Sequence, residues 1–272
     1  MKRLNRFIFL FLIFSFVGKA DSLSVYPGFY YTYGNYSSNA SSRSFAGYLP
    51  FVFNLKHTFV LGYDNLRINT PDWIYDQQTY NAGTILSFDP VYLKFNYAYL
   101  NGDYSEKTTT YSYADKTNIL NFETIFRIRL FYLGISYAHL NMDGGILQQS
   151  TDQFTGRIEW AVDPRVYLSV KPGYVKIKDG RKLTSVAAKI HYLPVNQVLI
   201  KAGGMFGQRA YYFDSDLLTL FNQNETQKKQ YFGQFEYSPS SKFRIILSYQ
   251  HAEFETYSIN YYIAGIKTNI TF

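Results

Sequence analysis

The chain has 272 residues, no cysteine and a formal net charge of +7. Without cysteine it has no disulfide, thiolate metal site or cysteine nucleophile. With no run of about 18 apolar residues it is not a helical membrane protein. The basic excess is no argument for nucleic-acid binding, because Lys2, Arg3, Arg6 and Lys19 all fall in the first 20 residues and leave 23 basic against 20 acidic.

Residues 1–20 read as a secretory signal peptide. Lys2, Arg3 and Arg6 make a positive start, Phe7 to Val17 an apolar core, and Gly18-Lys19-Ala20 a small-residue cleavage site ahead of Asp21. The rest, 21–272, is expected to be one domain. Its composition is unusual: 20% of the chain is aromatic, with 28 Tyr, 24 Phe and two Trp spread evenly. A soluble core needs aliphatic filler as well, whereas a membrane barrel uses an aromatic girdle at each interface.

After the leader come segments of about ten residues that alternate apolar and polar, separated by turn chemistry, as strands with one wet and one greasy face do. They are Val25–Tyr33, Arg43–Phe53, Thr58–Arg67, Gln78–Phe88, Val91–Leu100, Thr117–Ile128 and Phe131–Leu140. Gln149–Trp160, Arg165–Ile177, Leu183–Tyr192, Gln197–Gly207, Lys229–Tyr237, Phe243–Phe254 and Thr256–Phe272 complete the set. The weakest turn is Arg129-Leu130, which lacks Gly, Pro and Asn. The count of 14 is even, and a slip of one hairpin would make it about 12. Short connections, such as Asn54–His57 and Ser238–Ser241, alternate with longer ones at Gly34–Ser42, Asn101–Lys116 and Gln208–Lys228.

The last segment carries a resemblance. Tyr262, Ala264, Ile266, Thr268, Ile270 and Phe272 share one face, and Gly265, Lys267, Asn269 and Thr271 the other. A closing strand that ends on an aromatic resembles that of bacterial outer-membrane β-barrels. The resemblance implies an all-β, closed antiparallel transmembrane barrel with short periplasmic turns and longer extracellular loops, placed in the bacterial outer membrane. It also implies two partners, outer-membrane lipid and the barrel-assembly machinery that reads the last strand. In size and strand count the chain is similar to small monomeric porins of 14 strands, so a monomer is expected. A soluble sandwich also alternates, but it would not sort its aromatics into two belts. Here Trp160, Tyr192, Tyr237, Phe243 and Phe272 sit beside the short turns, and Tyr99, Tyr137, Tyr174 and Tyr249 toward the longer loops.

Strand parity then places Lys94, Arg127, Arg157, Lys171, Lys189, Lys201, Arg244 and Lys267 inward, with Glu123, Glu159 and Glu236. Each Lys or Arg facing lipid near the midplane would cost about 2–4 kcal/mol. These residues are the candidates for lumen selectivity in a water-filled pore with a basic lean, a porin-like channel for small polar or anionic solutes. Alternatively they pair across strands, as Arg157–Glu159 and Glu123–Arg127 would, and knit a closed, non-conducting barrel that displays loops or seats a partner. The Gln208–Lys228 loop carries Asp214, Ser215, Asp216, Leu217 and Leu218. Asp214 or Ser215 could cap a short amphipathic helix that gates the mouth, or the loop packs outside on its neighbours. No cofactor or metal site is expected, since Asp214 and Asp216 fall short of a Ca²⁺ shell. A hydrolase is the third reading. It would need His139 or His251 beside a nucleophile, and no such spacing exists.

Overall fold

The computed structural model describes residues 22–144, 148–221 and 223–271. The proposed signal peptide and Phe272 therefore lie outside the described residues. The chain opens with β1 (Leu23–Val25) and β2 (Gly28–Tyr36), then β3 (Ser41–Phe53), β4 (His57–Asn69), β5 (Trp73–Phe88) and β6 (Val91–Glu106). It continues through β7 (Ser112–Ile128), β8 (Phe131–Gly144), β9 (Gln149–Asp163), β10 (Val166–Ile177), β11 (Lys182–Val195) and β12 (Val198–Arg209). A small hairpin of β13 (Tyr212–Asp214) and β14 (Thr219–Phe221) follows, then β15 (Gln227–Ser240), β16 (Phe243–Phe254), β17 (Ser258–Thr268) and β18 (Ile270–Thr271).

Neighbours in sequence pair antiparallel around the wall, and the ring closes where β17 meets β2 (Tyr262 opposite Tyr33) and β18 meets β1 (Ser24 opposite Thr271). The first stave is β1 with β2 and the last is β17 with β18, so the barrel has 14 staves. Both end staves are broken at one height. Pro27 has no N–H for the ladder; its carbonyl instead accepts from the Thr268 amide at 2.9 Å. The even count follows the alternation of the sequence, and even the connection at Arg129-Leu130 is a tight turn, with Arg129 at φ 57°.

The outward surface is greasy and zoned. Leu120, Leu133, Ile135, Ile158, Val186, Ile190, Ile200 and Leu247 are exposed on it. Trp160, Tyr192 and Tyr237 are exposed toward one end, where Phe131 stacks on Trp160 at 5.7 Å; Tyr137 and Tyr249 are exposed toward the other. Tyr99, Tyr174 and Phe243 are half-buried on the same outward parity. An apolar band between two aromatic belts is a lipid-facing surface.

The two ends differ. At one, six connections are only two or three residues long. At the other, connections run from three to five residues apart from the long segment between β12 and β15. The loops expected at Asn101–Lys116 and Gly34–Ser42 are therefore mostly strand. β6 and β7 run 16 and 17 residues, far more than an apolar band of about 25 Å requires at about 3.3 Å per residue. Beyond the band both faces meet water. The alternation fades there although the ladder continues, with Tyr104 opposite Tyr113 and the rings stacked at 4.8 Å.

Candidate functional site

Parity positions the lumen charges. Lys94 on β6, Glu123 on β7, Arg157 and Glu159 on β9, Lys171 on β10 and Lys189 on β11 all point inward, and the first four are buried. Arg157 is gripped by Glu123 (Nε to Oε1, 2.5 Å) and Glu159 (Nη1 to Oε1, 2.6 Å), and Lys94 lies 3.2 Å from Glu123. Glu159 also accepts from Ser169 Oγ at 3.1 Å and from the Tyr167 hydroxyl. Further round the wall Glu236 binds Lys201, Arg244 (2.9 Å) and Gln234 (2.7 Å). Lys267 lies 5.9 Å from the Tyr30 ring centre.

One expected pair does not form. Arg127 bonds Asp89 at 2.9 Å beside a short turn and is exposed there, so it belongs to the rim rather than the charged level. Residues four apart on a strand are about 13 Å apart, so Glu123 pairs across strands instead.

The long segment between β12 and β15 does not pack outside. It leaves the wall after Arg209, just past a register shift at Gly207, which has φ +103° and at which a Cβ would stand 2.4 Å from the Thr184 carbonyl oxygen. It then folds into the lumen as the β13–β14 hairpin, with Tyr212 opposite Phe221 and Asp214 opposite Thr219. No helix forms. Asp214 does cap backbone N–H groups, accepting from Asp216 at 2.9 Å and Leu217 at 3.3 Å. Those bonds close a tight turn, which short acidic side chains favour, and Leu218 adopts φ 52° within it.

Three kinds of contact seat the hairpin. Phe213 is 1% exposed and packs among inward Ala98, Ile119, Ala138, Leu140, Val175, Ile177 and Leu183. Gln153 holds the Phe213 backbone twice, accepting its N–H at 2.9 Å and donating to its carbonyl at 3.0 Å. At the tip, Asp216 meets four cations: Lys94 at 2.8 Å, Arg157 at 2.7 Å, Lys189 at 3.1 Å, and Lys171. Ser215 Oγ adds a bond to Glu123 at 3.2 Å. So cationic a setting is not that of a metal ligand.

The hairpin's base is strapped to its neighbours. Arg209 lies 4.6 and 4.5 Å from the ring centres of Tyr212 and Phe221 and donates to Gln227 at 2.6 Å. Arg181, on the β10–β11 connection, donates to the Asn224 carbonyl at 2.7 Å and side chain at 2.8 Å. Its bond to Asp179 holds that carboxyl below the usual carboxylate range. Glu225 accepts from Thr256 Oγ1 at 2.8 Å.

The seat leaves one signal in the sequence. Inward positions of a wet lumen should be polar, yet Ala98, Ile119, Leu140, Val175, Ile177 and Leu183 are apolar on inward parity over several adjacent strands. The catalytic candidates are not brought together. His139 faces outward against Asp152 at 2.9 Å, and His251 contacts Asn260 at 2.7 Å and stacks on Tyr231.

No protein-family model and no curated protein matches the chain. Among solved structures it is similar to the toluene transporter TodX of Pseudomonas putida, with TM-score 0.55 and 10% identity over 92% of this chain and 89% of that one. A TodX structure described as a monoaromatic hydrocarbon channel, a deltaS2 mutant, aligns with TM-score 0.57 and 11% identity over 93% and 90%. The translocator domain of the autotransporter NalP from Neisseria meningitidis covers 98% of this chain and 96% of its own at 10% identity, with TM-score 0.47. Likeness at such identity concerns the fold, and the fold is that of the outer-membrane β-barrels.

Proposed function

We propose that this protein is a bacterial outer-membrane channel for passive diffusion of small polar or anionic solutes, narrowed by its own hairpin. The observation that carries the reading is the nature of the occluding element. It is a connection seated by side-chain contacts, not part of the hydrogen-bonded wall. Behind it the wall leans basic, with Lys94, Arg157, Lys171, Lys189, Lys201, Arg244 and Lys267 against Glu123, Glu159, Glu236 and Asp64. Water reaches part of this wall, since the Lys189, Lys201 and Arg244 side chains keep 25%, 23% and 43% of their exposure. A barrel of about eight strands is filled by side chains, and a larger one has room for a path. The hydrocarbon named for TodX does not carry over, because an apolar solute would strip water from this charged wall without compensation. In this reading the short turns face the periplasm and the protein works as a monomer.

Planar-bilayer recordings test it. Wild type is expected to conduct weakly with anion preference, and deletion of residues 212–221 to conduct strongly. Silence from both folded proteins overturns the channel. The second reading, a non-conducting structural or partner-binding barrel, would then hold; the burial of Phe213 and the four cations on Asp216 are what favour it.

A further inference from the structure

Asp216 is held as a bound ligand would be held. Its Oδ1 receives Lys94 at 2.8 Å and Arg157 Nη2 at 2.7 Å; its Oδ2 receives Lys171, Lys189 at 3.1 Å and Arg157 Nη1 at 3.4 Å. The guanidinium thus meets the carboxylate fork to fork, the arrangement that gives geometric selectivity for planar oxyanions. The fork does not depend on the hairpin for its position. Glu123 and Glu159, both on the wall, fix Arg157 from behind.

The charges also fail to balance without the hairpin. Lys94 and Arg157 have wall carboxylates, but among the described residues Lys171 and Lys189 form ion pairs with Asp216 alone. With the hairpin withdrawn, the carboxylates that pair with these four cations are, among the described residues, Glu123 and Glu159. The groups that grip the carboxylate all come from the wall, and their present occupant is covalently tethered.

We propose that this four-cation level binds the carboxylate of a small organic anion in transit, and that Asp216 occupies it as an internal stand-in. A carboxylate solute then opens the channel by competing for the site. The proposal rests on the channel reading, and its test separates the two.

Succinate is the probe, in bilayers at constant ionic strength, with inorganic phosphate and KCl as parallel arms. Succinate is expected to raise the open fraction of wild type saturably. Asp216→Asn is expected to raise it roughly tenfold without succinate, since a partner of a buried charge cluster is lost. In the channel lacking residues 212–221, succinate is expected to produce brief blocks. Lys171→Gln with Lys189→Gln is expected to abolish those blocks. If the deletion conducts while Asp216→Asn matches wild type and succinate does nothing, the inference fails and the channel stands. If wild type and the deletion are both silent, the channel reading fails as well. An equal response to phosphate overturns the choice of carboxylate, and an equal response to KCl reduces the effect to screening.

Discussion

Arg157 and Asp216 form a forked ion pair in the lumen, with Nη2 2.7 Å from Oδ1 and Nη1 3.4 Å from Oδ2. The pair joins a wall strand to the tip of a connection that the sequence places 59 residues away. It makes Arg157 the hub of the charged level, since Glu123 and Glu159 converge on the same guanidinium.

Arg157→Ala is therefore expected to destabilise the barrel by about 3–5 kcal/mol, because it leaves buried carboxylates without their counter-charge. Urea unfolding of the protein folded into vesicles measures this. Adding Glu159→Gln to that variant is expected to recover part of the loss. No recovery would mean that the loss comes from packing.

Phe213→Ala acts on the hairpin and spares the wall. Removing a fully buried ring from its apolar seat is expected to weaken seating by about 3–5 kcal/mol, while the unfolding midpoint of the barrel stays put. Protease nicking between residues 210 and 226 reads the first quantity and thermal unfolding the second. Unchanged nicking would show that the ion pairs alone hold the hairpin.

Ile135 is 65% exposed on the outward surface. Ile135→Arg is expected to cost about 2–4 kcal/mol on insertion, as a charge does near the bilayer midplane. Ile135→Leu is the control. Equal folding of the two into vesicles would remove the lipid-facing assignment.

The Arg181 strap is expected to depend on acid pH. Arg181 holds the Asp179 carboxyl below its usual range, so the strap is complete above about pH 4 and loosens as pH falls through the lowered value. Amide exchange of residues 210–226, corrected for intrinsic rates, should quicken below that range. Arg181→Ala should quicken it roughly tenfold at pH 7. A pH-independent rate in wild type would remove the Asp179 bond from the strap.

Much of the fold could be read along the chain. The period-two alternation, the even count and the inward parity of Lys94, Arg157 and Lys171 are local properties, imposed strand by strand by a surface with lipid on one side and water on the other. Polar extensions such as Asn101–Glu106 were not legible as strand, because beyond the lipid both faces are wet. Neither was the form taken by Asp214 and Ser215, since a capping side chain serves a hairpin turn as well as a helix.

The amino-acid sequence by itself determined which residues face lipid and which face the lumen, because that choice needs only a residue and its two neighbours. The tertiary structure alone decided what meets what inside. Glu123 takes Lys94 and Arg157 rather than Arg127, and Asp216 reaches four strands at once. Such contacts depend on strand register and on where a seventeen-residue connection finds apolar wall to bury Phe213. No local pattern encodes a contact made across the width of a closed barrel.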